Sequence, residues 1–331
     1  MQTQEKEAGL CFPHLQNSSC RRSGRPPAES MLMYITLSSM SVLTVALNLL
    51  VIISISHFKR LQTPTNLLLL SLAVSDFFVG LLVVFQILLI DGCWFLGDVM
   101  CVGYYIVDYV ITSASVETVV LISVDCYVAI CEPLQYFMKV TKRRVCISVS
   151  GCWIFSFLCV FIVMKDNLRQ PGRHNSCYGE CVVVFDQFSG LVDILFFFIG
   201  PVSVVVVLYV RVFVVAVSQA RAMRSHPLSV HGSARVTLKK SDLKSLRAAR
   251  TLGVVVVVFL TCLLPYYCAV LEGPAGFVSL SSVVFFTYLF YLNSCLNPLI
   301  YALFYPWFRK SVKIIVTLQV LKPGSRDIKM M

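Results

Sequence analysis

The sequence predicts an all-α membrane protein, a seven-transmembrane helix bundle followed by a short amphipathic eighth helix. Three observations carry that prediction. The 331 residues are 57% hydrophobic and only 14% charged, too apolar for an ordinary soluble globule. Seven apolar runs reach the roughly 20 residues that a bilayer core demands. Lys and Arg gather in alternate loops, as expected of a chain threading back and forth across a membrane.

In chain order, residues 1–32 form a polar outer segment with the sequon Asn17-Ser18-Ser19, suited to N-glycosylation, and with Cys11 and Cys20. The opening MQTQEKEAGL has no apolar core, so the first span is expected to serve as the anchor signal. Spans fall at 33–56, 67–90, 99–130, 145–164, 189–217, 251–271 and 278–304, a membrane domain of 33–304. Lys59 and Arg60 follow the first span, whereas no Lys or Arg follows the second. Lys139, Lys142, Arg143 and Arg144 follow the third. The loop between the fifth and sixth holds Arg221, Arg224, Arg235, Lys239, Lys240, Lys244, Arg247 and Arg250. These basic loops mark the inner side, placing the amino terminus outside and the carboxyl terminus inside the plasma membrane. The formal charge of +11 is then a rim attracted to anionic lipid and not a nucleic-acid footprint. Residues 305–331 make the eighth helix, near 305–316, and a short tail. Tyr305, Trp307 and Phe308 are expected at the membrane interface, with Arg309, Lys310 and Lys313 toward headgroups.

Cys101 opens the third span, and Cys177 and Cys181 lie in the loop before the fifth. All sit on the oxidising side, where bridges can form, although sequence does not set their connectivity. The other cysteines mostly lie within spans and read as small core residues. No metal-ligand spacing and no catalytic constellation appears.

Ionisable residues inside a bilayer cost about 2.5–3.5 kcal/mol each, so intramembrane acids are functional candidates. They are Asp76, Asp108, Glu117, Asp125 and Asp193. Asp108 lies seven residues after Cys101, two helical turns or roughly 10 Å inward. A carboxylate there is costly alone and is compensated when a cation arrives. Tyr104, Tyr105, Tyr109, Tyr266, Tyr267, Tyr288 and Tyr291 could complete an ammonium site. Asp193 falls eight residues before Pro201, at a comparable depth. A monoamine with an apolar tail cannot satisfy this second carboxylate, which must be protonated, find a protein partner or meet a second cation. Asp186, in the preceding loop, adds negative potential that could steer cations inward. Glu117 reads as a contact between the third, fourth and fifth helices.

Residues 293–308, NSCLNPLIYALFYPWF, say most about function. The Asn297-Pro298 pair bends an apolar helix, and Asn293, Ser294 and Asn297 can re-satisfy the freed carbonyl. With Tyr301, the run resembles the seventh helix of rhodopsin-like G-protein-coupled receptors. The longer pattern Asn-Ser-x-x-Asn-Pro-x-x-Tyr-x-x-x-Tyr-x-Trp-Phe is similar to that of trace amine-associated receptors. The resemblance covers about residues 30–316 and implies a receptor similar to fish-type olfactory members. Such a receptor takes a small monoamine or diamine and signals through a stimulatory heterotrimeric G protein to adenylyl cyclase. The resemblance also implies a Cys101–Cys181 bridge, with a second joining Cys177 to Cys20 or Cys11. By the same token Asp108 is the ammonium anchor, hydrogen-bonded by Tyr291. Asp193 becomes the second acid of a subset suited to diamines such as cadaverine or putrescine. Asp76, with Asn48, Ser115, Asn293, Ser294 and Asn297, resembles a site for an allosteric sodium ion, or else a sodium-free polar network. No other cofactor is implied. Pro201, Tyr209, Phe259, Pro265, Pro298 and Tyr301 match the family's activation apparatus.

Departures are equally specific. Asp125-Cys126-Tyr127 stands where the family has Asp-Arg-Tyr. Cysteine is short and carries no fixed charge, so Asp125 is expected to turn to Lys142 or Arg143. Leu263 replaces the family's tryptophan, and Leu47 its glycine beside Asn48. No cysteine follows Cys295, so the common palmitoyl anchor is missing. Two other readings stay open: a serotonin-like biogenic-amine receptor, and an amine-binding homologue with impaired coupling. A transporter would show internal repeats and broken helices near the midplane, and neither is seen.

Overall fold

The computed structural model describes residues 9–22, 24–225, 253–269 and 280–328. Arg235, Lys239, Lys240, Lys244, Arg247 and Arg250 lie outside the described residues, as do the side chains of Arg221 and Arg224. So do 251–252, 270–271 and 278–279 of the two last expected spans.

Helix α1 covers Pro27–His57, starting six residues before the expected span. Pro26 and Pro27 pre-set the backbone for a first turn, and Glu29 complements the positive end of the helix dipole. Helix α2, Pro64–Asp91, opens on Thr63, whose hydroxyl accepts the Asn66 N–H at 3.3 Å. It closes on Gly92, whose φ of 74° suits glycine best. Helix α3 is Asp98–Cys131. Helix α4, Lys142–Val163, is capped by Thr141. Helix α5 begins at Gln187 behind an Asp186 cap, passes through a π-helical segment at Ile194–Ile199, and continues as Gly200–Ser225. Helices α6, Gly253–Ala269, α7, Leu280–Phe304, and α8, Pro306–Val316, follow.

Among the described residues, α1 to α5 are long and apolar enough to cross a membrane, and α6 is a shorter apolar helix. The result is an all-α, multi-pass membrane bundle. Ile154, Phe157, Leu158 and Ile162 of α4 are exposed large apolar side chains. Such a face is stable against lipid and costly in water. The largest core cluster joins all seven helices α1 to α7, α4 through Val145, and ends on α8 through Trp307, Phe308 and Ile314. Trp307 and Phe308 are therefore buried in protein, not spread at the interface as the sequence suggested. Tyr305 is the extended residue before α8 and not part of it. Arg309 also differs from expectation, since its guanidinium donates to the carbonyls of Ala302 and Leu303 at 2.9 and 3.0 Å. It thereby satisfies the end of α7, where a cation is also favoured by the dipole.

The opposite end is covered by the amino-terminal segment, which pairs Leu10 with Arg21 and Ser19 with Tyr178. We call this disulfide-bearing end the outer end, following the orientation expected from sequence. Asn17 is exposed there.

Candidate ligand-binding site

The outer end is held by three disulfides: Cys11–Cys93, Cys20–Cys177 and Cys101–Cys181. The last joins the head of α3 to the loop before α5. The second resolves the partner of Cys177. The first was not foreseen, because Cys93 lies within the short turn between α2 and α3, and sequence assigns it no mate.

Beneath this cover lies a cavity of about 160 Å³. Asp108, Tyr105 and Tyr109 reach it from α3, Asp193 from α5, Tyr266 and Tyr267 from α6, and Phe290 and Tyr291 from α7. The two acids expected to face one space do so. Tyr291 Oη lies 3.4 Å from both Asp108 carboxylate oxygens, a long, shared hydrogen bond. Gln86 of α2 fixes its direction, donating from Nε2 to Tyr291 Oη at 2.7 Å and to Tyr104 Oη at 2.6 Å. An amide nitrogen can only donate, so the chain runs Gln86 to Tyr291 to Asp108. Sequence reasoning missed Gln86; its one signal was a polar amide within an apolar span.

Among the described residues, no cation pairs with Asp108 or Asp193. Asp193 is buried, and its Oδ1 has no hydrogen-bond partner. Two acids in one low-dielectric cavity raise the local affinity for positive charge. Aromatic faces complete the walls: Tyr267 stacks on Phe198 at 4.3 Å, and Tyr266 lies 4.9 Å from Phe290. Such faces accept ammonium groups as well as apolar carbon. Two expected tyrosines lie elsewhere. Tyr104 packs against Trp94 at 5.8 Å, and Tyr288 lines a separate cleft with Arg25 and Glu29. Asp186 stays exposed as the cap of α5, accepting the Ser189 N–H at 3.3 Å. The Ser189 contact holds its carboxyl below the usual carboxylate range.

Asp193 owes its place to the wide turn that follows it. Gly200 ends the π-helical segment, and a Cβ on it would sit 2.9 Å from the Leu195 carbonyl. Only glycine fits that approach without a shift. Such segments occur often at functional sites.

Deeper in the bundle Asp76 is fully buried. Its Oδ2 accepts from Asn297 Nδ2 at 2.8 Å, and its Oδ1 from Ser115 Oγ at 3.3 Å. Asn48 donates to the Ser294 carbonyl at 3.0 Å, binding α1 to α7. Asn293 Oδ1 and Asn48 Oδ1 are buried without partners. All the expected members thus gather in one polar layer, and its oxygen-rich donor set fits a hard monovalent cation.

The seven-transmembrane receptor (rhodopsin family) profile matches residues 47–301. Trace amine-associated receptor 13c of Danio rerio is 37% identical over 328 residues, covering 96% of this chain and 95% of that protein. Trace amine-associated receptor 6 of Pan troglodytes is 38% identical, and receptor 4 of Mus musculus 33%; each match covers 96% of this chain and 94% of the relative. The chain belongs to the trace amine-associated receptor family. It is a rhodopsin-like receptor and not an enzyme.

The inner end departs from its family in a way the sequence only half disclosed. Asp125 does not pair with Lys142 or Arg143, which stand exposed at the start of α4. It accepts instead from Thr65 Oγ1 at 2.9 Å and from Tyr136 Oη at 3.0 Å. Tyr136 sits on the short helix Tyr136–Lys139 and also contacts Thr65 at 2.9 Å. Burial pushes its phenol up to about 12, and it is a donor at neutral pH in either case. Two neutral hydroxyls thus satisfy the carboxyl that Cys126 beside it cannot pair with. Cys126 packs among apolar groups, as do Phe259 and Tyr301. The Tyr301 hydroxyl is buried without a partner. Tyr209 lies so close to α6 that a Cβ on Gly253 would stand 2.6 Å from its oxygen. Pro265 and Pro298 lie within α6 and α7, and Tyr127 is partly buried. Glu117 lies against Cys152 and Ser156 of α4, with Oε1 buried and unpartnered.

Proposed function

We propose that this receptor binds small cationic amines in the cavity between α3, α5, α6 and α7 and signals through a stimulatory, olfactory-type G protein to adenylyl cyclase. The observation that carries the reading is Asp108, oriented by Tyr291 and Gln86 and lacking a cation among the described residues. An ammonium group entering the cavity supplies the missing charge, and Tyr105, Tyr109, Tyr266 and Tyr267 enclose its carbon frame. Asp193, with its unpartnered oxygen on the same cavity, favours a second positive end and hence diamines over monoamines. A fish-type olfactory role accords with this preference. A serotonin-like specificity is disfavoured because an acid, not a hydroxyl cluster, faces the cavity from α5.

In this reading the chain crosses the plasma membrane seven times, at the spans expected from sequence. Its amino terminus is outside and glycosylated at Asn17, and α8 and the tail lie inside along membrane lipid. Asp76, Ser115 and Asn293 would hold sodium, which would supply positive charge between α2, α3 and α7. The family's switch positions Tyr209, Phe259, Pro265, Pro298 and Tyr301 transmit the change toward Asp125, Cys126 and Tyr127.

A cAMP assay in transfected cells, across monoamines and diamines, tests the proposal. Asp108→Ala should abolish responses to all amines, and Asp193→Ala should lower diamine potency about tenfold or more while sparing monoamines. Amine potency unchanged in Asp108→Ala would rule out the anchor; diamine potency unchanged in Asp193→Ala would rule out the second.

A further inference from the structure

A second, smaller cavity lies directly inward of the first. Its volume is about 20 Å³, enough for one water-sized group. Leu263 and Phe259 of α6, Ser115 of α3 and Asn293 of α7 line it. Thr112, Val116 and Phe290 line both cavities, so the two meet along that wall. Leu263 is buried, and its short side chain leaves this space where a large ring would fill it. Two buried oxygens border the space with no hydrogen-bond partner: Thr112 Oγ1 and Asn293 Oδ1. An amide oxygen accepts only, so its partner is a hydrogen-bond donor or, where sodium is bound, the cation, and the two occupants exclude one another at Asn293.

We propose that this annex is a subsite of the ligand cavity that takes one small hydrogen-bond donor carried on the ligand, a terminal hydroxyl above all. The inference rests on the reading of Asp108 as the ammonium anchor. Thr112 is one helical turn beyond Asp108, roughly 6 Å along the axis. A ligand whose ammonium meets Asp108 must span that rise to reach the annex, which takes an arm of about four or five bonds. A methyl group of equal size fits the volume but leaves both oxygens unsatisfied, which a buried polar site penalises. Leu263 is then a specificity-determining residue. Its size decides whether the ligand can extend inward.

The test compares terminal amino alcohols, from aminopropanol to aminopentanol, with alkylamines in which methyl replaces hydroxyl. Binding is measured on the full-length receptor in nanodiscs. At the best chain length the wild type should prefer the alcohol by about fivefold or more. Leu263→Trp should remove that preference by filling the annex. Thr112→Val, nearly isosteric, should also lower the alcohol-to-alkyl ratio, which keeps the test decisive if the tryptophan variant does not fold. If alkylamines bind but no alcohol is preferred at any length, the annex proposal is overturned and the anchor stands. A preference that survives both substitutions also overturns it. If neither series binds, anchor and annex fall together.

Discussion

The two ends of this bundle solve the same problem, an acid on α3, by opposite means. At the outer end Asp108 is oriented by a chain of donors from Gln86 and Tyr291 yet has no cation among the described residues. At the inner end Asp125 is satisfied by two hydroxyls, from Thr65 and Tyr136, and needs none. One acid is held in readiness and the other is spent on structure. On the proposed reading, recognition runs on charge, whereas the inner contact that holds α3 runs on neutral hydroxyl donors. Those two kinds of contact respond differently to substitution.

Asp108→Asn should break the outer end most severely. It keeps the shape and removes the charge, so amine potency should fall about 30-fold or more in a cAMP dose–response series. A fall under threefold would mean that charge is not what the cavity uses. Next in size is the outer cover. Replacing Cys20 and Cys177 together with serine should cost about 2–4 kcal/mol of stability, read as a lower midpoint of thermal unfolding in detergent. An unchanged midpoint would show that the other two bridges suffice. Cys126→Arg probes the inner end, where it restores a fixed charge beside Asp125. The maximal agonist-evoked cAMP response should rise severalfold at equal surface expression, and no rise would show that the hydroxyl contacts already support full coupling. The smallest effect should come from Tyr136→Phe. Loss of one hydrogen bond to Asp125 should cost about 1–3 kcal/mol, seen as a small downward shift in the unfolding midpoint with ligand affinity unchanged.

What could be read from the sequence follows the reach of each signal. Asn297, Pro298 and Tyr301 form a local pattern on one helix, and the depths of Asp108 and Asp193 follow from counting residues along single helices, although the face of Asp193 depends on a π-helical segment that no such count reveals. Those placements hold in the structure. Contacts between distant segments were less legible. Cys93 has no local mark that names Cys11, and Gln86 becomes informative only when α7 brings Tyr291 beside it. Tyr136 reaches Asp125 because a short helix folds under α3, which no periodicity announces. Trp307 and Phe308 were read as interfacial from their chemistry, but α8 turns them onto the core. Charge counting located the acids well and their partners poorly, since nearby cations were expected where hydroxyls serve.

The wide turn at Ile194–Ile199 sets the angular phase of everything before it on α5. A π-helical turn holds one residue more than an α-helical turn, so it offsets the outer part of the helix by roughly 100° relative to its inner part. Asp193 immediately precedes that offset, and Tyr209 lies beyond it. The face that α5 shows to the ligand can therefore be re-indexed without moving the face it shows to α6. A one-residue deletion in the segment would rotate the second acid out of the cavity and leave the inner packing in register.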